Sequence, residues 1–217
     1  MDPTAITQKC VRRYKINPKL TEANTLRVLL TGDSLMARRE DAHGPLINKA
    51  LRNRRPGLVV DNTAVSGDQT PDLLARVDYD VVQRPHADWV FVLIGTNDAA
   101  AHKLVPLAQF RVNLEQIVAR IVAVYSADRV VLITPPPVNE RLQRHRSNAR
   151  IQQYGQVLSK VAAAYDARVL DLYHLFMVTP NLEATVDGGL HDGLHFGKFG
   201  YGILADAMLR LMDGATN

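Results

Sequence analysis

Five short runs rich in Val, Ile and Leu, each separated from the next by a stretch long enough for a helix, constrain this chain more than any other feature. The runs cover residues 26–31, 58–61, 88–94, 129–134 and 168–172. They lack the polar alternation of half-exposed strands and therefore read as strands buried on both faces. The intervening stretches 45–53, 71–82, 107–125 and 147–165, with 201–212 closing the chain, are helix-length. In the third, Leu107, Phe110, Leu114, Ile117 and Ile121 recur at three- and four-residue steps, as one buried helical face requires. Strict strand–helix alternation predicts a five-stranded parallel sheet covered by helices on both sides, an α/β fold built as a three-layer α/β/α sandwich. In such sheets ligands bind outside the carboxyl ends of the strands, so chemistry is sought there.

The 217 residues suit a single domain with a sizeable core, and 47% hydrophobic with 22% charged residues is ordinary for a water-soluble globular chain. Residues 1–24 show no clean period and carry Pro3, Asn17 and Pro18, so they are expected to form an N-terminal arm on a domain spanning 25–217. A net charge of +4 falls short of the concentrated basic face of a nucleic-acid binder, and no nucleic-acid partner is expected. The single cysteine, Cys10, cannot form an intramolecular disulfide and fits a reducing compartment, which makes the cytoplasm the expected location. The first twenty residues lack an apolar signal-peptide core, and the longest apolar stretch, 89–94, is too short to span a bilayer, so no stable membrane association is expected.

Four segments carry candidate chemistry. The first strand runs into Gly32-Asp33-Ser34-Leu35, which puts a serine in the turn at the strand's carboxyl end. The second is followed by Ser66-Gly67-Asp68, where Gly67 could expose a backbone N–H or simply make a turn. The third ends in Gly95-Thr96-Asn97-Asp98; Asn97 could donate to a developing oxyanion or bond its own backbone. Near the C-terminus, Asp192-Gly193-Leu194-His195 could supply an imidazole base and the carboxylate that orients it. Taken singly, each has a plain structural reading: Asp33 or Ser34 as a helix cap, Gly67 and Asn97 as turn residues, His195 as a surface histidine. The convergence of four such segments, three of them at the carboxyl ends of successive strands, favours catalysis.

These blocks, in this order, resemble the SGNH (GDSL) hydrolases, and the similarity extends from about Leu26 to the end of the chain. The Thr134-Pro135-Pro136-Pro137 segment further resembles the branch containing isoamyl-acetate-hydrolysing esterases. The resemblance implies a flavodoxin-like sandwich and a serine esterase acting on small-molecule esters through an acyl-enzyme. It makes Ser34 the nucleophile, His195 the base and then acid, and Asp192 its partner. It places the Ser34 and Gly67 N–H groups and the Asn97 side chain in the oxyanion hole. No metal or organic cofactor is implied. Assembly is left open, a homo-oligomer included. Ala64, where the second block often has another glycine, and Met36, where threonine is common, depart from the pattern without removing a reacting group.

Short-chain acyl esters are the expected substrates. Sugar-ester deacetylation, lysophospholipase or thioesterase activity on the same machinery is the alternative, and a flavodoxin-like binding module the non-enzymatic one. The spacing of His191 and His195 evokes a helical zinc motif, but Gly188, Gly189, Gly193 and Gly197 oppose a helix there, and His191 is expected in a loop. Asp33 and Asp98 are expected to hold turns through bonds to backbone. Arg141, Arg144, His145, Arg146 and Arg150 form a basic run expected to be a solvated helix entry that could border the substrate pocket.

Overall fold

A computed structural model of the chain describes residues 25–214. The expected arm, residues 1–24, lies outside the described residues. Five strands form one parallel sheet: β1 (Arg27–Gly32), β2 (Val59–Asn62), β3 (Trp89–Leu93), β4 (Val130–Ile133) and β5 (Arg168–Leu170). Their order, β2-β1-β3-β4-β5, is that of flavodoxin-like sheets. Each strand lies within a residue or two of its expected position. The central strands β1, β3 and β4 are buried almost throughout, consistent with their unbroken apolar sequences.

The helices are α1 (Ser34–Ala37), α2 (Leu46–Arg54), α3 (Thr70–Val77), α4 (Leu107–Val122), α5 (Asn148–Ala164), α6 (Leu172–Met177), α7 (Leu182–Thr185) and α8 (Lys198–Gly214). The crossovers put α2 on one face, where it packs against α8, and α3, α4 and α5 side by side on the other. Local signals fix where several begin. A capping box between Gln69 and Asp72, with Pro71 inside the first turn, starts α3, and the Ser147 hydroxyl caps α5. On α4, Phe110, Leu114, Ile117 and Ile121 are fully buried, as their spacing predicts.

The expected helix over 71–82 divides. Its regular part ends at Val77, and one wider π-type turn, Asp78–Val82, completes it. The closing helix begins at Lys198, three residues before the expected start, because Gly200 and Gly202 obscure its period in the sequence.

From β1 the chain moves outward to β2 and then returns past β1 to β3. The connections after β1 and β3 therefore diverge, opening a crevice at the carboxyl ends of these paired strands. Gly32 pairs with Leu93 at that edge, which brings the segments following each strand together.

Candidate active site

The turn after β1 depends on Gly32. Its φ is +136°, and a Cβ there would lie 1.8 Å from the Leu93 carbonyl oxygen, so only glycine lets the two backbones approach this closely. Asp33 then donates its N–H to the Leu93 carbonyl at 3.1 Å and caps α1 by accepting the Leu35 N–H at 2.9 Å. Ser34 is consequently the first residue of a helix at the crevice, with Leu35 and Met36 anchored in the core beneath it.

The Ser34 hydroxyl lies 2.8 Å from His195 Nε2, and His195 Nδ1 lies 2.6 Å from Asp192 Oδ2. The other Asp192 oxygen, Oδ1, accepts the backbone N–H groups of Leu194 at 3.0 Å and His195 at 2.9 Å, so the carboxylate is fixed by the turn it creates. Burial opposes ionisation of Asp192. Its bonds from the His195 backbone, the His195 ring and the Leu194 backbone outweigh that cost and hold the carboxyl below its ordinary value. This serine–imidazole–carboxylate line is chemically able to remove a proton from the hydroxyl while the imidazole keeps one tautomer.

Gly67 follows β2 with φ +91°, and Lys103 Nζ donates to its carbonyl oxygen at 3.1 Å. Among the described residues neither the Ser34 nor the Gly67 backbone N–H donates to a protein acceptor. Asn97 is almost fully buried; its Nδ2 donates to the Asp68 carbonyl at 2.9 Å, and its Oδ1 accepts from Arg146 Nη2 at 2.8 Å. The four segments singled out in the sequence thus meet, with Ser34, His195 and Asp192 in one hydrogen-bonded line and Asn97 tied to the peptide next to Gly67.

Asp33 and Asp98 hold turns as expected. Asp98 Oδ1 accepts both the Thr70 N–H, at 2.9 Å, and the Thr70 hydroxyl, at 2.5 Å. Both carboxyls are fully buried, and burial raises both, Asp33 to about 7. His191 is exposed in a loop with φ +49° and turns to Asp187, 2.9 Å away.

The basic run departs from its expected role. Arg146 is not a solvated helix entry. Its Nε donates to the Thr96 carbonyl at 3.0 Å and its Nη1 to Gln143 Oε1 at 3.0 Å, in addition to the bond to Asn97. Gln143 Nε2 in turn donates to the Asp192 carbonyl at 2.5 Å. Arg150 also turns inward, towards the Ala99 carbonyl. Buried carbonyls with no other donor among the described residues attract these guanidinium groups, whereas Arg141 stays at the surface with Glu183. The sequence points to Arg146 only as one member of a basic run that could border the pocket, and it does not point to Gln143. The one available signal was their position directly after Thr134–Pro137 at the active edge.

A family model described as the GDSL-like lipase/acylhydrolase family matches residues 30–203. The chain belongs to this family. The GDSL-like chain is a carboxylic ester hydrolase. It is 30% identical over 166 residues to an acetylxylan esterase of Geobacillus stearothermophilus, covering 71% of this chain and 72% of that protein. It is 25% identical over 142 residues to the GDSL esterase/lipase WDL1 of Oryza sativa subsp. japonica, of whose length it spans only 54%. Among solved structures, a lipase/acylhydrolase from Enterococcus faecalis superposes with a TM-score of 0.76 at 29% identity, covering 88% of this chain and 96% of that one. Among the described residues of this GDSL-like hydrolase, no helix is long and apolar enough to cross a membrane.

Proposed function

We propose that this hydrolase cleaves short-chain acyl esters, acetyl esters of carbohydrates foremost, through an acyl-enzyme on Ser34. The observation that carries the chemistry is the unbroken line from the Ser34 hydroxyl through His195 to Asp192. In the forward step Ser34 Oγ attacks the ester carbonyl carbon as its proton passes to His195 Nε2. The carbonyl oxygen becomes an oxyanion, received by the Ser34 and Gly67 N–H groups and by Asn97 Nδ2. Collapse of this intermediate breaks the bond to the alcohol, which leaves with the proton from His195. Water then attacks the acyl-enzyme, giving its proton to His195, and a second collapse releases the acid and restores the Ser34 hydroxyl. Asp192 stabilises the imidazolium in both halves.

The acyl preference rests on similarity to the acetylxylan esterase, and the cytoplasm is the proposed setting on the strength of the lone Cys10. The test is hydrolysis of p-nitrophenyl esters graded from acetyl to palmitoyl, together with acetate release from acetylated xylo-oligosaccharides. Activity is expected to be greatest with acetyl or butyryl groups and to vanish in Ser34→Ala. A preference for long chains would overturn the substrate assignment, and an active Ser34→Ala would overturn the mechanism.

A further inference from the structure

We propose that Arg146 is a positioning residue that fixes which end of the Asn97 carboxamide faces the oxyanion. This rests on the reading of Asn97 as an oxyanion donor. A carboxamide is nearly symmetric in shape but not in chemistry: one end donates and the other only accepts. Rotated by half a turn, Asn97 would present an oxygen lone pair to the developing negative charge and repel it. An oxyanion hole that uses an asparagine side chain therefore needs something to prevent that rotation.

Two contacts prevent it here. A guanidinium has only donors, so Arg146 Nη2, 2.8 Å away, can face only Asn97 Oδ1. The Asp68 carbonyl has only an acceptor, so at 2.9 Å it can face only Nδ2. Both enforce the same orientation, and the Asp68 carbonyl occupies one of the two Nδ2 hydrogens, which leaves the other to donate. In the flipped amide each contact would become a repulsion between like groups, at a side chain that is almost fully buried.

Arg146 is itself held in place. Three of its nitrogens bond three different partners, the Thr96 carbonyl, Gln143 and Asn97, in the planar fork that only arginine provides. Thr96 immediately precedes Asn97, so the same guanidinium grips both the backbone and the side chain of the oxyanion strand end. Through Gln143, whose amide reaches the Asp192 carbonyl, this grip continues to the loop that carries His195. The partly buried cation is opposed by burial and supported by the nearby carboxyls of Asp33 and Asp192. Lysine, a point donor on a flexible stem, could supply the charge but could not serve three acceptors in one plane.

A mutant cycle with Asn97→Ala, Arg146→Ala and the double variant tests the proposal. Asn97→Ala should lower kcat roughly 10²-fold, as loss of an oxyanion donor does. Arg146→Ala should lower kcat at least about tenfold with little change in KM, and in the Asn97→Ala background its further effect should fall to about 2-fold or less. Added guanidinium should restore part of the kcat of Arg146→Ala and none in the double variant. Should Arg146→Ala not fold, Arg146→Lys replaces it in the same cycle, with the same split between kcat and KM.

If the two losses multiply, or if Arg146→Ala raises KM at unchanged kcat, Arg146 does not act through Asn97 and the proposal fails. If Asn97→Ala alone leaves kcat unchanged, it is the oxyanion reading of Asn97 that fails. The two failures are therefore distinguishable.

Discussion

Asp33 sits beside the nucleophile with no exposed surface, and among the described residues only one of its carboxyl oxygens, Oδ1, has a partner. Burial raises its pKa from 3.8 to about 7. The folded protein thus retains a proton that the unfolded chain has already released. Stability contributed by the neutral acid is fully present below pH 3.8, falls as pH rises towards 7, and is constant above that. Asp33→Asn removes this titration while keeping the shape and the Oδ1 acceptor. The urea midpoint of the variant, measured against the unmodified protein from pH 4 to 8, should therefore gain on it with rising pH and level off above about 7. A constant difference across that range would show that Asp33 is ionised in the fold. The capping role of Asp33 was legible in the sequence, because an aspartate after a glycine turn has few other uses. The orphaned second oxygen was not, since burial depends on segments 60 and more residues away. The same limit hid Arg146, whose basic run looks alike whether its arginines end in water or on buried carbonyls.

At the scale of elements, the strands and the longer helices were readable because each presents enough residues for a period to repeat. The helices α1, α6 and α7 have only four to six residues, too few to repeat one, and α6 and α7 begin on single local caps, Asp171 and Asn181. The junction between β1 and α1 is where element geometry meets chemistry, and it offers a controlled comparison. Gly32→Ala meets both an unfavourable φ and the Leu93 carbonyl at 1.8 Å, whereas Gly57→Ala has a similar dihedral problem, φ +90°, and open space around it. Gly57→Ala should cost on the order of 1–3 kcal/mol, from dihedral strain alone. Gly32→Ala should cost more than about 3 kcal/mol or prevent folding, because the two central strands must separate to admit the methyl group. Comparing thermal unfolding of the two variants checks this, and equal losses would mean that β1 and β3 do not approach closely at Gly32.

Over the whole molecule, the parallel sheet brings together residues that the sequence keeps far apart. Ser34 and His195 are separated by 161 positions, yet each lies at the same edge because every strand of the sheet ends there. The last loop is pinned from several directions: Gln143 to the Asp192 carbonyl, Asn139 to the Gly193 carbonyl, and Glu40 to the Gly189 N–H. Tyr201, from α8, donates to the Leu35 carbonyl at 2.8 Å and so ties the closing helix to the helix that bears the nucleophile. Such an assembly has a single chemical purpose if the proposed mechanism holds, namely to make Ser34 carry an acyl group between two waves of proton transfer. Mass spectrometry of the intact protein, quenched in acid during turnover of p-nitrophenyl acetate, tests this most directly. The protein should gain the mass of one acetyl group, mapped by peptide digestion to Ser34, and Ser34→Ala should gain none. An acetyl group on another residue, or turnover in a protein whose Ser34→Ala variant remains fully active, would contradict it.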